Sequence, residues 1–140
     1  MNQESLVKPR LQMLVYPLTD YDPKRASMRK NKGAPIWNLK NHERMMRYYF
    51  RDLQPSEIKD LMPMQHELPK SIPDTYIETA EYDILHDEGI LYGKKLKAAG
   101  AKVDINETAG TFHGYDAVLN SKIVQRNVDI WINFLKKAFG

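Results

Sequence analysis

The stretch "DTYIETAEYDILHDEGILYGKKLKAAGAKVDINETAGTFHGYD", Asp74 to Asp116, decides the fold. It opens just after Pro73 with a β-rich run, Asp74 to Asp83. A helical segment follows, "DEGILYGKKLKAAG", with Gly100 where a C′ glycine ends a helix. "AKVDINET" then alternates Val103 and Ile105 with Asp104 and Asn106, the pattern of a strand with one wetter face. A Gly-flanked loop carrying His113 leads to a last helix, about Ser121 to Phe139, with Val124, Val128, Trp131, Leu135 and Ala138 at helical spacing. Strand, helix, strand, helix is the order of an α/β layered fold with a parallel sheet.

Upstream, "LQMLVYP" (Leu11 to Pro17) is a short apolar run ended by proline, which predicts a strand buried on both faces. From Thr19 to Pro73 the chain is polar and punctuated by six prolines. It predicts one helix over Asn41 to Leu53, with Met45, Met46, Tyr49 and Phe50 as its buried face, and a short one from Ser56 to Asp60.

With 140 residues, one domain is expected. The apolar fraction of 42% and charged fraction of 28% are those of an ordinary globular chain. Most of the +3 net charge sits in "PKRASMRKNK", Pro23 to Lys32, which reads as a solvated loop. No aromatics interleave with those cations, so nucleic-acid binding is not expected. Without cysteine there is no disulfide, thiolate nucleophile or Cys-based metal site, and the histidine spacing offers no metal site either. The first ten residues lack a signal-peptide core, and no run approaches the ~20 apolar residues of a membrane helix. A cytoplasmic protein with no membrane partner and no cofactor is the expectation.

The crossover from Thr75–Ala80 through the Glu88–Ala99 helix to Lys102–Thr108 is a βαβ unit, so its strands are parallel and share one carboxyl edge. Asp83 lies just past the first strand and His113 just past the second, which puts both on the rim where α/β proteins place their sites. A carboxylate there can fix one imidazole nitrogen and leave the other to take a proton from a hydroxyl. Spacing alone leaves two alternatives open: Asp83 as a cap of the following helix, and His113 as a loop residue bonded to backbone.

The motifs go further. Asp83, Leu85, Asp87, Glu88 and Gly89, then Ala99 and Gly100, then His113, Gly114 and Tyr115, in that order, closely resemble the C-terminal part of the hormone-sensitive-lipase-like (bacterial acetyl esterase) family of α/β-hydrolases. "LQMLVYPLTD" is similar to the strand after the nucleophile helix in that family, and "APIWNLKNHERMMRYYF" to the segment beyond it. The resemblance implies a partial α/β-hydrolase fold of about three parallel strands with flanking helices. It implies Asp83 as triad acid, His113 as base and a small carboxylic ester as substrate. Asp87 and Glu88 belong to the motif without assigned chemistry, beyond favourable charge at a helix start. Gly89 and Gly93 are expected to let the helix approach its sheet closely, while His42, His66 and His86 match no catalytic position.

The family's nucleophile, a serine in Gly-x-Ser-x-Gly, has no counterpart among Ser5, Ser27, Ser56, Ser71 and Ser121, and no His-Gly-Gly oxyanion segment occurs. Residues 1–140 are therefore expected to be a single partial domain, the C-terminal half of a hydrolase, inactive alone. A truncated product, an expressed or proteolysed fragment, or one piece of a split enzyme all fit. The Leu11–Tyr16 strand would then present an apolar edge to be covered by a homodimer mate or a complementing chain. The alternative is a non-catalytic subunit or interaction module that completes its sheet with a partner. A flavodoxin-like binder would need a phosphate-cradling glycine loop, which is absent.

Overall fold

The computed structural model describes residues 8–20 and 22–139; Ser5 lies outside them. Strand β2, Asp74–Tyr82, is central, with β1 (Leu11–Val15) on one side and β3 (Val103–Phe112) on the other, all parallel. Leu11 pairs with Asp74 and Thr75 with Val103, so all three strands end on the same rim. Thr75 to Ala80 are all buried, because a central parallel strand with helices on both faces has no wet side.

Helix α4 (His86–Ala98) covers one face. Ile77 of β2 and Val103 of β3 cluster there with Tyr92 and Leu96. The close approach expected of Gly89 and Gly93 is present. A Cβ on Gly93 would stand 2.7 Å from Ile105 Cδ1, and one on Gly89 would stand 2.7 Å from Thr79 Cγ2. Gly100, at φ +88°, ends the α4 region where the sequence placed a C′ glycine. Helix α5 (Lys122–Lys136) covers the other face, with Val124 against Ala80 and Phe134 against Tyr76.

The long connection from β1 to β2 holds α1 (Ala26–Lys30), α2 (Leu39–Tyr49) and α3 (Pro55–Leu61). Met46 and Phe50 pack on Ile58 and Met62 in a small core of their own.

Several expectations need correction. The basic run is not all solvated loop: it forms α1, whose Ser27 and Met28 are buried. Tyr49 is 78% exposed and His42 is buried in its place, since α2 turns its His42–Met46–Phe50 line inward. On α5, Leu135 is exposed while Asn127 and Phe134 are buried, because the inward stripe admits a polar residue that apolar periodicity skips. The side chains of β1 are half-buried rather than enclosed, as this strand pairs only with β2 among the described residues. Among the described residues no helix is long and apolar enough to cross a membrane.

Candidate active site

Each strand delivers the residue that follows it to the shared rim: Tyr16 after β1, Asp83 after β2 and His113 after β3. The strand expected to end at Thr108 runs on to Phe112, so the loop that carries His113 begins later than expected. Within it the register slips: Ala80 faces Thr108, but Tyr82 faces Phe112. This bulge is stabilised at Gly110 (φ +71°), whose N–H donates to Glu81 Oε2 at 2.8 Å, and by Thr111 Oγ1 donating to the Thr108 carbonyl at 2.6 Å. Bulges bend a strand and re-aim its side chains. Here the bent end points His113 back over β2.

His113 Nδ1 lies 2.7 Å from Asp83 Oδ2. Asp83 is 1% exposed and its other oxygen accepts the Leu85 N–H at 3.0 Å, an Asx turn just ahead of α4, so the carboxylate shapes the entry to the helix and holds the histidine at once. The alternative of Asp83 as cap of the following helix is not met: Leu85 is the N-cap of α4 and no side chain caps it. Asn31 Nδ2 donates to the backbone carbonyls of Asp83 (3.0 Å) and Glu81 (3.1 Å), pinning the strand end.

The His113 ring lies between aromatics. Trp37 stacks on it at 5.5 Å and 29°, and Tyr16 packs at 4.9 Å. About a quarter of the imidazole side chain remains exposed. Tyr16 OH donates to Asp116 Oδ1 at 3.1 Å, and burial raises its pKa. Tyr115 stands edge-on to Tyr16, and its hydroxyl is pushed up to about 12 by burial and by its bond to Glu78.

Among the described residues, the only non-glycines with positive φ are Tyr16 (51°) and Ile36 (62°), and both border this site. Ile36 is the centre of a three-residue turn closed by Trp37 N–H to the Pro35 carbonyl, the rare strained form of the γ-turn. Asn41 Nδ2 holds its carbonyl at 2.8 Å. A β-branched residue there is an outlier, and such strain gathers at functional sites.

Of the other motif residues, Glu88 does more than place charge at a helix start. It is 1% exposed, and Oε1 accepts the N–H groups of Thr19 (2.6 Å) and Asp20 (3.3 Å), tying the segment after β1 to α4. Burial raises its pKa to about 8. Asp87 reaches Ser27 N–H on α1 at 2.9 Å. His86 pairs with Asp87 and Glu107 away from His113. Burial lowers the pKa of His42, which stands edge-on to Trp37. Sequence reasoning missed Tyr16, Asn31 and Trp37; only the aromatics near rim positions carried any signal for them.

A carboxylate-bound histidine on the carboxyl rim of a parallel sheet with helices on both faces belongs to the α/β proteins that build their sites on that rim. Residues 1–117 match the alpha/beta hydrolase fold family, and the chain belongs to it. It is similar to esterase LipI of Mycobacterium tuberculosis (strain ATCC 25618 / H37Rv), 34% identical over 105 residues, 74% of this chain and 33% of LipI. It is also similar to arylacetamide deacetylase of Bos taurus, 38% identical over 66 residues, 47% of this chain and 16% of that protein. The crystal structure of esterase LipW from Mycobacterium marinum matches with a TM-score of 0.82 at 26% identity, covering 92% of this chain and 40% of LipW. The chain thus spans a third or less of the length of these curated relatives.

Proposed function

We propose that this chain carries the acid and base of a serine-type carboxylic ester hydrolase. The observation that carries the reading is the 2.7 Å bond between His113 and a buried Asp83 on the rim of adjacent parallel strands. Asp83 holds Nδ1 and stabilises the imidazolium. The other nitrogen takes the proton of a serine hydroxyl as that oxygen attacks the acyl carbon, then returns it to the departing alcohol. In the second half-reaction His113 deprotonates water, which releases the acid and regenerates the serine. The esterase names of the relatives support this class, and short acyl esters are the substrates to try first.

No serine in these 140 residues lies in a Gly-x-Ser-x-Gly turn, so the nucleophile comes from another segment or chain. Residues 1–140 then act as one partial domain. The edge of β1 that is unpaired among the described residues, with its Leu-Gln-Met-Leu-Val sequence, is where that neighbour adds its strand, whether a complementing chain or a second copy.

The test joins this chain to the nucleophile-bearing part of esterase LipI and follows hydrolysis of p-nitrophenyl acetate. The chain alone is expected to be inactive. The joined protein is expected to turn over and to lose on the order of 10³-fold or more in kcat with His113→Ala. A joined protein whose turnover ignores His113→Ala would sink the reading. Hydrolysis by the chain alone, lost in His113→Ala, would show that the nucleophile is local.

A further inference from the structure

Glu78 sits in the middle of β2, fully buried, where a central parallel strand ordinarily carries an apolar residue. A carboxylate in that place is costly unless its lone pairs are filled. Oε2 accepts from Tyr76 OH at 2.5 Å, Trp131 Nε1 at 2.8 Å and Asn106 Nδ2 at 3.2 Å. Oε1 accepts from Tyr115 OH at 2.6 Å. A carboxylate has about four acceptor sites, and four donors meet it.

Three of these bonds tie β2 to itself, to β3 and to α5, which is a sufficient structural purpose. The fourth reaches a different place. Tyr115 is the first side chain beyond His113 and Gly114, and Gly114 at φ +76° has no side chain to brace the turn. Asp83 fixes one nitrogen of the ring but not the backbone that carries it. Tyr115 supplies that anchor, 3% exposed and pinned at its hydroxyl by Glu78 and by Asn127 Nδ2. Its ring also backs Tyr16, which packs on His113.

We propose that Glu78 is a positioning residue for His113, acting through Tyr115 and the turn between them. The proposal rests on His113 being the base assigned above, but its test does not require ester hydrolysis.

Polarity makes the idea specific. In Glu78→Gln one branch of the side chain becomes an NH₂ donor facing groups that all donate. On the Oε2 side, the Trp131 N–H cannot reverse. On the Oε1 side, an NH₂ takes away the acceptor of the Tyr115 hydroxyl, which already receives Asn127 Nδ2. Placement toward Tyr115 removes its acceptor, and placement toward Trp131 sets two N–H donors against each other and displaces the side chain that Tyr115 bonds.

The readout is the His113 Nδ1 proton in the NMR spectrum of the pure chain, bonded to a buried carboxylate and so expected downfield and slow to exchange. Glu78→Gln and Tyr115→Phe are each expected to speed its exchange about 10-fold or more, the effect of losing one hydrogen bond to a charged group. Trp131→Phe removes a donor from Oε2 without touching Tyr115; it is expected to lower the unfolding midpoint yet leave the His113 signal in place. Folded Glu78→Gln and Tyr115→Phe chains with an unaltered His113 proton overturn the proposal, as does a Trp131→Phe effect on that proton equal to theirs. If Glu78→Gln does not fold, Tyr115→Phe alone decides, because it keeps the ring and the carboxylate. An inactive joined enzyme would count against the ester-hydrolase reading and leave this result standing.

Discussion

Replacing Glu88 by glutamine is expected to change how stability depends on pH. The side chain is 1% exposed. Two backbone N–H groups reach Oε1, while Oε2 is buried without a hydrogen-bond partner among the described residues, so the charged form is poorly solvated and burial dominates. The folded chain keeps its proton up to about pH 8, whereas the unfolded chain releases it near the ordinary 4.5. A raised folded pKa means the contribution is fully present below pH 4.5 and is lost as pH rises toward 8. Each pH unit in that window costs ~1.4 kcal/mol, so the whole travel is on the order of 4–5 kcal/mol, a large part of a domain's ~5–15 kcal/mol. Asp87 works in the opposite sense and elsewhere. Burial opposes its ionisation, but bonds from His86 and Ser27 outweigh it, so its contribution is lost only as pH falls below the ordinary 3.8. Glu88→Gln keeps an oxygen for the Thr19 and Asp20 N–H groups and removes the proton. Urea midpoints measured from pH 5 to pH 8.5 should fall steeply for the parent chain and much less for the variant. The two should nearly coincide at pH 5 and be separated by ~2 M or more at pH 8.5, for an m-value near ~2 kcal/mol/M. Parallel curves across that range refute the assignment of a buried, protonated Glu88.

Two further substitutions test packing and strain. Gly93→Ala gains up to ~1 kcal/mol of helix propensity but drives a Cβ to 2.7 Å from Ile105 Cδ1 and 3.1 Å from Ile77 Cδ1, and overpacking costs ~1–3 kcal/mol. A net loss of ~1 kcal/mol in urea unfolding is expected; an unchanged or raised midpoint would show that α4 stands off the sheet. Ile36→Gly relieves ~1–2 kcal/mol of left-handed strain and gives back ~0.5–1 kcal/mol in unfolded-chain entropy, with little burial lost at 64% exposure. A small rise in thermal midpoint is expected, and a fall would mean that the turn beside Trp37 is unstrained.

The βαβ unit was legible because its signals are local. Pro73, the apolar and β-branched run after it, the Asp-Glu-Gly helix start and Gly100 each fix backbone by their own chemistry. Parallel topology then followed from crossover geometry, and with it the shared rim for Asp83 and His113. Burial on α2 and α5 was less legible. Tyr49 and Leu135 are as apolar as their neighbours, yet both face solvent, while polar His42 and Asn127 are inside. Which side of an amphipathic helix docks depends on what it meets, and periodicity carries no information on that.

The sequence by itself determined the order of the strands and of the helices that cover the sheet, the parallel sheet, and the two titratable residues that follow its neighbouring strands. Only the tertiary structure decided that Asp83 divides its oxygens between Leu85 and His113, that a bulge at Gly110 aims the imidazole, and that Tyr16 and Trp37 enclose it. It also decided that Glu78 and Glu88, two acidic residues ten apart, are both buried. The physical reason is the same throughout. Local propensities depend on residues adjacent in the chain, whereas a hydrogen-bond partner 30 or more positions away exists only once the sheet has brought the strand ends together.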